Sequence, residues 1–189
     1  MSEKHVVITG FGGQGIVLTG NILGKAATIF DGRHATMTQS YGPEARGGSC
    51  SSQVIVSDQD IAFPYVERPQ VLVCMSQEGY EKNAPTLLPG GLIVWDSDLV
   101  RVGELDPSWT KFNVSATRIA EELGNKMMAN IVMLGFLSAV SDLVGADSVR
   151  QAMLVSVPPK TKETNALAFD RGRQQGLDQL KSQGPGGQG

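Results

Sequence analysis

Lys4-His5-Val6-Val7-Ile8-Thr9 runs into Gly10-Phe11-Gly12-Gly13-Gln14-Gly15, and Ile16, Leu18, Ile22, Leu23, Ala26, Ala27 and Ile29 follow at helical spacing. The first six residues have the apolar, β-branched character of a short buried strand. The glycines then allow a tight turn, and the apolar period of the next segment predicts a helix up to Asp31-Gly32. Strand, glycine loop and helix at the start of a chain point to a layered α/β fold.

The rest of the chain continues the alternation. Strands are expected at Arg33–Gln39, Ser49–Ser57, Gln70–Met75, Leu92–Trp95 and Phe112–Val114. Helices are expected at Gln77–Leu87, Thr117–Leu123, Lys126–Val144, Ser148–Val155 and Thr164 to Leu180. The predicted architecture is three-layered and Rossmann-like, with a mainly parallel sheet and a helical C-terminal portion. One domain is expected over residues 1–181, followed by a disordered Gly/Gln/Pro/Ser tail over 182–189.

Composition narrows the function. The 189 residues are 41% apolar and carry a formal net charge of −3. A sizeable core is affordable, and no basic surplus exists to neutralise nucleic-acid phosphates. Cys50 and Cys74 are the only cysteines. They are too few for a four-cysteine zinc or iron–sulfur site and read as core thiols of a reducing cytoplasm. No secretory leader is expected before the first strand. Between Met127 and Val144 the only charge is Asp142. Asn130, Ser138 and Ser141 interrupt that run, which reads as a core helix that also forms part of a subunit interface rather than as a membrane span.

Gly10, Gly12 and Gly15 match G-x-G-x-x-G in the right context, with a strand before and a helix after. Backbone N–H groups at such a helix start suit a pyrophosphate or a carboxylate, so Gly12, Gly13, Gln14 and Gly15 are candidate anion contacts. A nicotinamide or flavin dinucleotide would also need an acid at the end of the second strand. That end reads Thr38-Gln39-Ser40, and Asp31 precedes the strand, where a turn or helix-end role suits it better. A second loop, Ser40-Tyr41-Gly42-Pro43-Glu44-Ala45-Arg46-Gly47-Gly48, leaves the same edge of the sheet. Arg46 offers a planar fork for a carboxylate or phosphate, Glu44 can orient it, and Tyr41 suits an interface. An exposed Glu44–Arg46 pair with no function fits the residues equally well. His5 and His34 show no metal-binding spacing, and Gln14 stands where a phosphate-gripping lysine would help.

The two loops together resemble the γ subunit of 2-oxoacid:ferredoxin oxidoreductases. Pro89-Gly90-Gly91, Ala116-Thr117-Arg118-Ile119-Ala120, Leu123-Gly124-Asn125, Ala129-Asn130 and Val157-Pro158-Pro159-Lys160 extend the likeness over nearly the whole chain. Arg46-Gly47-Gly48-Ser49 is similar to the 2-oxoglutarate branch. The resemblance implies a complex that oxidatively decarboxylates a 2-oxo acid with coenzyme A, giving an acyl-CoA, carbon dioxide and reduced ferredoxin. It implies α and β subunits as partners, a δ subunit as a further candidate, and ferredoxin as a partner of the complex. Thiamine diphosphate with Mg2+ and the iron–sulfur clusters would be held by the other subunits. This chain would hold no metal and no catalytic residue of its own. Ser40, Tyr41, Gly42, Pro43, Glu44, Arg46, Gly47 and Gly48, with the first loop, would face coenzyme A or the neighbouring subunit. A stand-alone NAD(P)- or flavin-binding oxidoreductase and a purely structural docking subunit are the alternatives.

Overall fold

The computed structural model describes residues 3–42 and 48–183. Six strands form one sheet in the order β2-β3-β1-β4-β5-β6. They are β1 (Lys4–Phe11), β2 (His34–Tyr41), β3 (Ser49–Ser57), β4 (Val71–Cys74), β5 (Leu92–Asp96) and β6 (Thr110–Val114). β1, β4, β5 and β6 run parallel to one another, whereas β3 is antiparallel to both β1 and β2. The sheet is therefore mixed, with a parallel half and a hairpin at the β2 edge.

That hairpin alters one detail of the expected layout. The connection from Tyr41 to Ser49 is too short to carry a parallel crossover, so β3 turns straight back along β2. Two reversals leave β2 pointing the same way as β1. Tyr41 aligns with Cys50, and Cys50 with Gly10, so both glycine-rich loops stand at one edge of the sheet as the sequence suggested.

Helices cover both faces of the sheet. α1 (Ile16–Lys25) runs on through a π-helical stretch at Ala26–Phe30, and α3 (Ala116–Glu122), α4 (Ala129–Val140), α5 (Ala146–Ser156) and α6 (Lys162–Gln183) lie on the same side. The other face carries α2 (Gln77–Asn83) and the loop residues Val66, Leu87 and Val100. Alternation along β1 sends Val6 and Ile8 to the first core and Val7 to the second. All three are buried, as expected of a central strand covered twice.

The apolar run after Asn125 corrects the expected bounds of the helix. It begins as a 3₁₀ turn at Lys126–Met128, and α4 itself stops at Val140. Every residue from Ala129 to Ser138 is buried within the chain, so this stretch of α4 is core, while Ala139 and Val140 are half-buried. α6 achieves that cover by lying unusually close. A side chain on Gly172 would collide with the Val132 carbonyl oxygen, and one on Gly135 would collide with the Phe169 carbonyl. Small residues thus bring the two helix backbones together, and Phe136 and Phe169 fill the space beside them. α6 also reaches Gln183, so Ser182 and Gln183 belong to its last turn rather than to the predicted tail. Residues 184–189 lie outside those described.

These contacts predict opposite effects for two substitutions of one kind. Gly172→Ala should lower unfolding free energy by about 2–3 kcal/mol, because the methyl meets rigid backbone. Gly24→Ala, at a helical position with open space around it, should raise it by up to about 1 kcal/mol. Urea unfolding of the two variants beside wild type measures both.

Candidate functional site

The site builds from the exit of β1. Gly10 still pairs with Cys50 in the sheet, and the chain must enter α1 by Ile16. Gly13 and Gly15 have φ values of 97° and 74°, a left-handed conformation that glycine adopts without strain. Gly15 is the N-cap of α1, and no side chain caps that helix. Thr19 donates both its backbone N–H and its hydroxyl to the Gly15 carbonyl, at 2.9 and 3.0 Å. Asn130, buried on α4, donates its amide to the same carbonyl at 3.3 Å.

The four expected anion contacts divide into two pairs. Gly12 donates its N–H to the Gly48 carbonyl at 2.9 Å, and Gln14 donates to the Phe11 carbonyl at 3.1 Å. Those two amides are spent within the chain, contrary to the expectation of four open donors. The N–H groups of Gly13 and Gly15 have no acceptor among the described residues. The Gly12–Gly48 bond also joins the two loops, and Gly42 closes the β2–β3 hairpin through its N–H to Ser49. Ser40 and Tyr41 end β2 in exposed positions. Pro43, Glu44, Arg46 and Gly47 lie outside the described residues.

A cavity of about 340 Å³ opens beside the first loop. Gly12, Gly13 and Gln14 form one wall, Thr117 and Leu99 a second, and Lys126, Met127 and Ala129 a third. Lys126 has no carboxylate partner among the described residues, and Met127 is 58% exposed. A cation, an apolar rim and the open backbone donor of Gly13 can receive a group that is part anionic and part apolar. The sequence reading missed the Lys126 wall. Its residues lie more than a hundred positions from the glycine loop, and only the packing of α4 brings them there. A larger cavity of about 610 Å³ opens at the opposite edge of the sheet, among Lys4, Gln70, Pro89 and Asp142, far from both loops.

Asp96 fixes the second wall. It ends β5 fully buried, and its carboxylate accepts the Thr117 N–H at 3.0 Å and the Thr117 hydroxyl at 2.7 Å. The Asp98 N–H adds a third bond at 3.0 Å. Burial pushes the Asp96 carboxyl above the usual range, against the downward pull of those three hydrogen bonds. Asp98 in turn accepts from the Arg118 guanidinium at 2.6 Å.

Other candidates are committed elsewhere. Asp31 accepts the Gly145 N–H at 2.8 Å and also the Ser148 hydroxyl, so it caps the start of α5. It stands at the opposite edge from the glycine loop, where no ribose bound at that loop would reach it. His5 bonds Glu3 and His34 pairs with Asp60, both at the N-terminal ends of their strands. Cys50 and Cys74 are free and buried in β3 and β4, and burial pushes both thiols up. No group of three or more metal-ligating side chains occurs among the described residues. No helix among them is long and apolar enough to cross a membrane.

Comparison with known proteins gives a consistent picture. The family model described as pyruvate ferredoxin/flavodoxin oxidoreductase matches residues 5–175. The 2-oxoglutarate synthase subunit KorC of Methanocaldococcus jannaschii is 46% identical over 172 residues, spanning 90% of this chain and 92% of that protein. The crystal structure of a keto/oxoacid ferredoxin oxidoreductase γ subunit from Geobacter sulfurreducens superposes with a TM-score of 0.80 at 35% identity, covering 93% of this chain and 99% of that one. A 2-oxoglutarate:ferredoxin oxidoreductase from Magnetococcus marinus shares the fold, with a TM-score of 0.85 at 20% identity. The match takes in 94% of this chain and 32% of that longer one.

The buried Asp96 carboxyl makes a testable contribution. Its folded pKa is raised, so its stabilisation is full below the ordinary carboxylate value and is lost as pH rises through the folded value. Urea unfolding between pH 4 and about 7 should show wild type losing stability relative to Asp96→Asn as the pH increases.

Proposed function

The chain belongs to the pyruvate ferredoxin/flavodoxin oxidoreductase family, and from that premise we propose that it is the γ subunit of a 2-oxoglutarate:ferredoxin oxidoreductase. The observation that carries this reading is the match of nearly the whole chain to a 2-oxoglutarate synthase subunit of the same length class. The complex converts a 2-oxo acid and coenzyme A to acyl-CoA and carbon dioxide and passes the electrons to ferredoxin. Thiamine diphosphate with Mg2+ and the iron–sulfur clusters sit on partner subunits. Two buried cysteines, on strands β3 and β4 with β1 between them, do not suit a cluster, which needs several accessible thiolates.

This chain contributes a coenzyme A contact. Coenzyme A carries a pyrophosphate, a further phosphate and an apolar base, and the glycine-loop cavity matches that mixture. Gly13 offers a backbone N–H group, and Lys126 offers a charge. Met127 and Leu99 supply apolar surface at the rim. Arg46, from the neighbouring loop, adds a second cation. α and β subunits occupy the exposed surfaces around the loops, including Tyr41, which is 60% exposed. The complex works in the cytoplasm, where coenzyme A and ferredoxin are found together. The dinucleotide alternative loses support, because Asp31 is held by α5 and the described end of β2 carries no acid.

The test is a native pull-down of the tagged chain, with an assay of coenzyme A-dependent viologen reduction on several 2-oxo acids. Thiamine-diphosphate and iron–sulfur partners with the highest rate on 2-oxoglutarate are expected; a partner-free chain refutes the proposal. In the purified complex, Arg46→Ala and Lys126→Ala should each raise KM for coenzyme A about five- to tenfold, the cost of one charge-assisted contact. Retained assembly would separate that effect from misfolding.

A further inference from the structure

Two glycines of the G-x-G-x-x-G loop leave room for the chain's own amide side chains. A side chain on Gly10 would collide with the Gln14 carboxamide and with Ile16, and one on Gly15 would collide with the Asn130 carboxamide. Gly10 has an ordinary backbone conformation, so space alone forbids a side chain there. Gln14 folds back beneath the loop instead of reaching out of it. Its Oε1 accepts the Phe11 N–H at 2.6 Å, and its Nε2 donates to the Met75 carbonyl at 3.0 Å.

The two partners stand where the parallel strands end. Phe11 is the last residue of β1, and Met75 directly follows β4 and donates its own N–H to Thr9 at 2.8 Å. One carboxamide therefore ties the glycine loop to two adjacent strands. The site needs one acceptor and one donor on the same planar group, which glutamine supplies and neither glutamate nor lysine does. A lysine here would grip a phosphate but leave the Phe11 N–H without this partner. Gly12 and Gly13 remain at the cavity wall, outside the latch.

We propose that Gln14 is a positioning residue that holds the glycine loop, before any ligand arrives, in the shape that receives coenzyme A. The inference rests on the reading of this loop as a coenzyme A contact. A latched loop has already given up the backbone freedom that binding would otherwise have to remove. An unlatched loop must be ordered by the ligand, so the loss falls on coenzyme A affinity rather than on turnover.

The test uses the purified complex carrying Gln14→Ala or the isosteric Gln14→Glu, which keeps an acceptor for Phe11 but turns a second oxygen toward the Met75 carbonyl. Amide hydrogen exchange across residues 11–18 is followed with and without coenzyme A, alongside steady-state viologen reduction. Coenzyme A should slow exchange of the wild-type loop. Both variants should exchange faster without it and show KM for coenzyme A raised about five- to tenfold. Their kcat and their KM for the 2-oxo acid should stay within about twofold. Protection in wild type with unchanged coenzyme A KM in both variants overturns the latch and leaves the coenzyme A reading standing. Wild-type exchange that ignores coenzyme A overturns both. A fall in kcat with an unchanged KM also overturns the latch.

Discussion

The passage from the buried end of β1 into α1 is the constraint on which the rest of the structure depends. β1 is the strand that joins the hairpin half of the sheet to the parallel half, with β3 on one side and β4 on the other. Its end must release the chain into a helix within a few residues, without leaving buried polar groups unpaired. Left-handed glycines make the turn, and the Gln14 and Asn130 amides, with Thr19, satisfy backbone groups around it. The same turn leaves the N–H groups of Gly13 and Gly15 without an acceptor among the described residues, so the solution to a folding problem also creates the candidate ligand surface.

That surface depends on parts of the fold that are remote from it in sequence. Lys126 and Asn130 reach the loop only because α4 crosses the first face of the sheet, and α4 lies there because α6 presses on it through Gly135 and Gly172. The second wall is held by Asp96, a carboxylate whose bonds to the start of α3 only partly offset the cost of its burial. An enzyme subunit with no metal-ligand cluster among its described residues can still shape a reaction in this way. In the proposed reading it walls part of a site while its partners carry the redox chemistry.

Much of this was legible from residue order. The strand–glycine–helix opening, the alternation that followed and the shared edge of the two loops all rest on local patterns that survive folding. The sequence also led to the right family through two loop motifs. Asp31 shows where local reading stops. Its spacing raises a ribose contact, yet its carboxylate is held by Gly145 and Ser148, more than a hundred residues away.

The sequence by itself determined the α/β class, the turn at Gly10–Gly15 and the family, because periodicity, glycine conformation and motif spacing are properties of neighbouring residues. Only the tertiary structure decided which amides of the loop stay open, that α6 packs directly on α4, and that Lys126 stands beside the glycines. Those outcomes depend on contacts between segments far apart in the chain, whose pairing is set by packing and hydrogen-bond geometry in three dimensions and leaves no periodic trace in residue order.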